Sequence, residues 1–207
     1  MEWLDRAGIA GLEQFYDTGY PLDADSIVLI DVDGTEAEVA RDQAIVERML
    51  NERATEVRIA EGEKDRAALW YGRLNAPNSV VQSGKGFFIG DVTVPRDRIP
   101  QMQEAIQSIA ARHSDGLLFI AVCGHAGDGD LHPTTFYDRD NPLAASALEA
   151  ANSGLPPTAS KSSCLVNSRI TRPTNGAASP DSEMRRRSTW VVGVPLPGWK
   201  LVAVRTT

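Results

Sequence analysis

The chain has 207 residues, a formal net charge of −7 and 42% apolar side chains. That size allows one ordinary domain with or without an appendage, and the mild acidity excludes a protein held to nucleic acid by charge. No apolar run approaches the roughly 18 residues needed to span a bilayer, and the opening Met-Glu-Trp-Leu-Asp-Arg lacks the basic-then-apolar plan of a secretion signal. A cytoplasmic protein without a transmembrane segment is therefore expected. Cys123 falls in an apolar run and Cys164 in a polar one, so neither a disulfide framework nor a Cys-x-x-Cys metal site is present.

In chain order, residues 1–18 read as a helix, with Leu4, Ile9, Leu12, Phe15 and Tyr16 at roughly helical spacing and Gly19 as its stop. Residues 26–32 are β-branched and short enough for a strand, which Asp33-Gly34 turns. Thr35 is placed to cap a helix whose Val39, Ile45, Val46, Met49 and Leu50 face one side. A short strand is expected at 56–60 and a helix at 62–76, ended by Pro77. That helix carries Arg73, a planar cation suited to carboxylates and equally readable as a solvated surface residue.

Residues 78–86 read as a mobile loop, 87–94 as a strand, and the stretch after Pro95 and Pro100 as a helix with the core stripe Met102, Ile106 and Ile109. His113 closes that helix as a dipole-complementing end residue. Strands are expected at 117–123 and from 131 to 137. The pattern is α+β with helices packed against a sheet, although a doubly wound parallel sheet fits the same alternation. From 143 the character changes. Residues 152–189 are rich in Ser, Pro, Thr, Asn and Arg without apolar period, so 143–207 is expected to be a low-complexity tail without stable order, with at most an edge strand in 191–204.

The densest chemistry lies at 124–133, Gly-His-Ala-Gly-Asp-Gly-Asp-Leu-His-Pro. His125 and His132, seven residues apart, flank a turn with Gly127, Asp128, Gly129 and Asp130, so a reversing loop brings both imidazoles to one cation. A carboxylate is the usual third ligand, and Asp128 or Asp130 could supply it. Both are equally explained as turn residues.

With this loop in view, residues 1–142 resemble the C-terminal cap domain of FAD-linked oxidases of the glycolate oxidase large-subunit, D-lactate dehydrogenase and D-2-hydroxyglutarate dehydrogenase group. The resemblance is carried by Leu4-Asp5, Asp33-Gly34, the run from Trp70 to Ala76, the run from Asp91 to Pro95 and above all 124–133. It implies a ferredoxin-like antiparallel sheet with helices on one face. It also implies oxidation of a small 2-hydroxy acid to a 2-oxo acid. His125 and His132 would hold a divalent metal such as zinc in a catalytic role, Arg73 would face the substrate carboxylate, and Gly127, Asp128, Gly129 and Asp130 would lie near FAD.

Three departures qualify what is implied. Asp130 stands where the family usually has Asn, the family's FAD-binding domain does not precede the region, and its later Gly-Glu-His-Gly segment has no counterpart in 143–207. The isolated chain is thus expected to be inactive, with the FAD-binding domain or subunit supplied in trans and the tail arising from a shifted reading frame. A second reading comes from residues 27–35, Ile-Val-Leu-Ile-Asp-Val-Asp-Gly-Thr, which look like the first motif of haloacid-dehalogenase-type phosphatases, with Asp31 as nucleophile and Asp33 as acid/base.

Overall fold

The computed structural model describes residues 1–53, 56–60, 62–112, 116–153, 160–161 and 186–191. It opens on a strand where a helix was expected: β1 (Glu2–Asp5) is extended, and α1 (Arg6–Glu13) begins only after it. The reason is burial on two sides. Trp3 and Leu4 are sequence neighbours, both are almost wholly buried, and they belong to different core clusters. Adjacent residues can point into opposite layers only on a strand inside a sheet. Asp5 ends the strand and caps α1, accepting a hydrogen bond from the Gly8 N–H at 2.7 Å.

β2 (Ser26–Gly34) leads to α2 (Glu36–Arg53) through a reciprocal cap. The Thr35 N–H donates to Glu38 Oε2 at 2.8 Å, and the Glu38 N–H donates to Thr35 Oγ1 at 3.4 Å. Val39 and Leu50 are buried as expected, whereas Ile45 and Met49 are exposed, because the stripe meeting the sheet is narrower than the apolar pattern. β3 (Arg58–Ile59) is followed by α3 (Glu63–Gln82), which runs through Pro77 instead of stopping there. Packing of α3 on α1 carries the helix past the missing N–H, and the expected loop at 78–86 shrinks accordingly.

The expected strand at 87–94 is two strands, β4 (Gly86–Ile89) and β5 (Val92–Thr93), separated at Gly90-Asp91. A 3-10 turn (Arg96–Arg98) leads into α4 (Ile99–Arg112), whose Met102, Ile106 and Ile109 are buried. His113 lies outside the described residues. The hairpin β6 (Leu118–His125) and β7 (Asp130–Tyr137) follows, and then α5 (Pro142–Ser153), an element the sequence reading did not contain. Within the tail, Ser160–Lys161 form β8 and Arg186–Val191 form β9. Of the edge strand considered at 191–204, only Val191 is described.

The strands form one sheet in the order β3-β9-β2-β1-β6-β7-β5-β8, with β4 also paired to β7. Every pairing is antiparallel, as expected for the α+β alternative and not for a doubly wound sheet. Leu50 of α2 and Met102 and Ile106 of α4 cover the face bearing Trp3, Val28 and Val122. On the opposite face, bearing Leu4, Ile27 and Leu29, α1 and α3 add a second helical cover. β1, between β2 and β6, therefore sits at the centre, with α3 above it and the β6–β7 hairpin beside it.

Candidate metal and substrate site

The β6–β7 hairpin closes over Ala126, Gly127, Asp128 and Gly129. The Asp128 and Gly129 N–H groups both donate to the His125 carbonyl, at 3.0 and 3.1 Å, and the Val94 N–H donates to the Gly129 carbonyl at 2.9 Å. Gly129 has φ +79°, and a Cβ there would stand 2.0 Å from the Val94 carbonyl oxygen. Gly124 is required for a different reason: a Cβ would lie 2.2 Å from the Asp130 carbonyl oxygen across the hairpin. Gly127 needs neither freedom, since its Cβ would only touch Met1 at 3.7 Å.

This tight turn sets His125 opposite Asp130 and Cys123 opposite His132 in register. The two imidazoles meet edge to face with centroids 5.2 Å apart. Each ring is fixed by a carboxylate: His125 Nδ1 lies 2.9 Å from Glu2 Oε1, and His132 Nδ1 lies 3.1 Å from Asp91 Oδ1. An ionised carboxylate only accepts, so Nδ1 is the donor, and a neutral imidazole held this way has its lone pair at Nε2, where a cation could take it. Asp130 Oδ2 lies 4.0 Å from His132 Nε2. One ligand atom from each of His125, Asp130 and His132 falls within 4.8 Å of the others, the only such group among the described residues. Donors around one zinc ion stand roughly 3.4 Å apart, so the set fits a divalent cation after a small contraction. Asp128 is exposed on the turn and outside this group.

Asp130's carboxyl is raised above the usual carboxylate range, by burial first and then by its contact with Asp91, while His132 and His125 pull it down. Three carboxylates, Glu2, Asp91 and Asp130, stand beside two imidazoles, and Arg73 balances only Glu2, so the cluster is short of positive charge, which favours a cation.

Arg73 reaches the site through Glu2. Its Nε and Nη2 lie 2.9 Å from Glu2 Oε2, and both side chains are only 15% exposed. Glu2 thus bridges Arg73 of α3 and His125 of β6. Arg73 and His132 also line a cavity of about 560 Å³ between α1, α3, β6 and β7, whose walls are otherwise largely apolar. Glu2 and Asp91 were not singled out as site residues from the sequence. Asp91 lies within the Asp-Val-Thr-Val-Pro run already noted, but no local signal marks Glu2, which is brought in by the pairing of β1 with β6.

The residues of the phosphatase reading go elsewhere. Asp31 accepts from Arg66 Nη2 at 2.7 Å and from Trp70 Nε1 at 3.3 Å, while the Arg66 guanidinium lies over the Trp70 ring. Asp31 and Asp33 sit on an internal strand of an antiparallel sheet, paired to β9, and Asp33 is exposed. That reading is not supported, and neither is the turn expected at Asp33-Gly34: both residues continue β2, in register with Arg187 and Arg186, so the letters are those of a strand that runs straight to the cap of α2.

Residues 1–157 match the family of FAD linked oxidases, C-terminal domain. The chain belongs to this family. Its relatives include the glycolate oxidase subunit GlcD of Escherichia coli (strain K12), 34% identical over 143 residues, or 69% of this chain and 28% of that protein. The glycolate oxidase subunit GlcD of Bacillus subtilis (strain 168) is 33% identical over 154 residues, 73% of this chain and 32% of that one. The chain therefore spans less than a third of either relative. Membership among the FAD-linked oxidases connects the fold to FAD-dependent oxidoreductases, and the match takes in α5 as well as the hairpin. No helix among the described residues is long and apolar enough to cross a membrane.

Proposed function

We propose that this chain is the substrate-facing cap of an FAD-dependent dehydrogenase that oxidises a 2-hydroxy acid, of the glycolate or D-lactate type, to the 2-oxo acid. The observation behind it is the convergence of His125, His132 and Asp130, of which His132 also lines a cavity shared with Arg73. FAD is held mainly by a binding domain outside this sequence, in another chain or elsewhere in a longer one. The cytoplasmic location expected from composition belongs to the same reading.

His125, His132 and Asp130 would hold a divalent cation, with zinc suited to two nitrogens and one oxygen and a position left open for substrate. Asp130 takes the part of the carboxylate ligand that the tail lacks. When bound, the cation would polarise the substrate hydroxyl and lower its pKa, and the flavin would accept the hydride. Arg73 pairs with the substrate carboxylate and so orients C2; its five N–H donors exceed what Glu2 alone uses. Glu2 and Asp91, each at an Nδ1, would leave the Nε2 atoms of the histidines to hold the cation. The turn Gly127-Asp128-Gly129, with Asp130, would contact the flavin when it is bound. Oxidation to the 2-oxo acid would take a hydride, two electrons, from C2 to a bound flavin and release the hydroxyl proton to solvent.

The test is a flavin and metal inventory of the purified chain, with and without an FAD-binding domain, by visible absorbance and elemental analysis. The expected result is flavin retained with the added domain, metal retained in both samples, and anaerobic bleaching of the flavin band by a 2-hydroxy acid. Flavin that is held but never bleached by any 2-hydroxy acid would overturn the substrate class.

A further inference from the structure

The cavity lined by His132 and Arg73 is far larger than the smallest substrates of that reading require. Its 560 Å³ lies within the usual ligand range of roughly 300–1,000 Å³. Glycolate has five non-hydrogen atoms and occupies on the order of 100 Å³ at liquid packing. Beyond Arg73 and His132 the walls include Phe15, Ala76, Val80, Ile89, Phe119 and Phe136. Phe15 and Phe119 remain 39% and 50% exposed, large aromatic surfaces that an occupant would cover. Gly11 of α1 also lines the space, and a Cβ there would meet nothing within 4 Å.

From this geometry we infer that the substrate is a 2-hydroxy acid with an extended apolar tail, its carboxylate at Arg73 and its hydrocarbon chain lying between α1, α3 and the β6–β7 hairpin. The inference rests on the 2-hydroxy-acid reading above and narrows it. Burying methylenes against these walls is favourable, while a short polar acid would leave most of the cavity to water. Lys85 is the other cation in the lining, and it is exposed at the rim, so a second carboxylate is not what the interior would receive.

The test is calorimetric titration of the full purified chain with glycolate, 2-hydroxybutyrate, 2-hydroxyhexanoate and 2-hydroxyoctanoate, and with octan-1-ol and 2-hydroxyglutarate as comparisons. Affinity should rise about two- to fourfold per methylene along the monoacid series, with an increasingly negative heat-capacity change. Gly11→Leu places a side chain in the open space and removes a helix-interior glycine, so it should melt no lower than the parent while reducing 2-hydroxyoctanoate to the affinity of glycolate. A flat series in which Arg73→Ala weakens every acid overturns the tail site and leaves the hydroxy-acid reading standing. Octan-1-ol binding as tightly as 2-hydroxyoctanoate, with no effect of Arg73→Ala, removes the carboxylate and overturns both. Tighter binding of 2-hydroxyglutarate than of 2-hydroxyhexanoate, or no binding by any compound, also overturns the proposal.

Discussion

Glu2 Oε1 lies 2.9 Å from His125 Nδ1, and through its other oxygen Glu2 holds Arg73 at the same distance. One carboxylate therefore sets both the tautomer of a candidate metal ligand and the position of the candidate substrate clamp. Glu2→Gln keeps the shape but loses the charge and one acceptor. Outer-shell changes of this kind cost about 10–100-fold in metal affinity, and that loss is expected for zinc in a chelator-competition titration. Equal zinc affinity in Glu2→Gln and the parent would remove Glu2 from the site.

Asp130→Asn should weaken zinc at least as much as Glu2→Gln, because it removes an anionic donor from the cluster itself. Asp128→Asn is the control, since Asp128 is exposed and outside the cluster. The same titration decides between them, and equal effects of the two variants would refute the assignment of Asp130.

The glycines of the turn are not equivalent. Gly129→Ala combines a positive φ with a clash against the Val94 carbonyl and should cost about 2–5 kcal/mol in denaturant unfolding. Gly127→Ala meets only an ordinary contact and should fall within about 0.5 kcal/mol of the parent. Comparable losses for the two would contradict the turn described here.

Asp5 couples the fold to pH. It is buried, accepts from the Gly8 and Val122 N–H groups at 2.7 and 3.0 Å and from Gln103 Nε2 at 3.2 Å, and burial nevertheless pushes its carboxyl up to about 6 from 3.8. Between those values the folded state binds more protons than the unfolded one, so this group's contribution to stability is present below about pH 4 and lost as pH rises through 6. The loss amounts to ~3 kcal/mol. Asp5→Asn should flatten that part of the profile. Its amide can donate to Gln103 Oε1, which has no partner among the described residues, once the Gln103 amide turns over. Stability profiles from urea melts at pH 4 to 8 that run parallel for the two proteins would exclude the linkage.

Much of the site could be read from letters alone, because its chemistry is local. His125, His132 and the Asp-Gly turn sit within one hairpin, where register and turn type put the imidazoles on one side. From β2 to β7 the strand and helix types followed from length and propensity: β2 is buried on both faces yet is a short β-branched run, while α4 buries a single stripe. The opening was misread because β1 is buried on both faces, which erases the period-two signal and leaves Leu4 and Ile9 looking helical. Pro77 was misread because packing of α3 on α1 outweighed a local helix breaker.

By itself the sequence determined the loop, its two histidines, the arginine and the family to which they belong. Only the tertiary structure decided that Asp130 and not Asp128 joins the histidines, that Glu2 ties Arg73 to His125, and that the phosphatase-like Asp31 is occupied by Arg66 and Trp70. Those contacts join residues 35 to 123 positions apart, except within the hairpin. Composition and spacing carry information over a turn or two of chain; pairings over such separations exist only once the sheet order places β1 between β2 and β6.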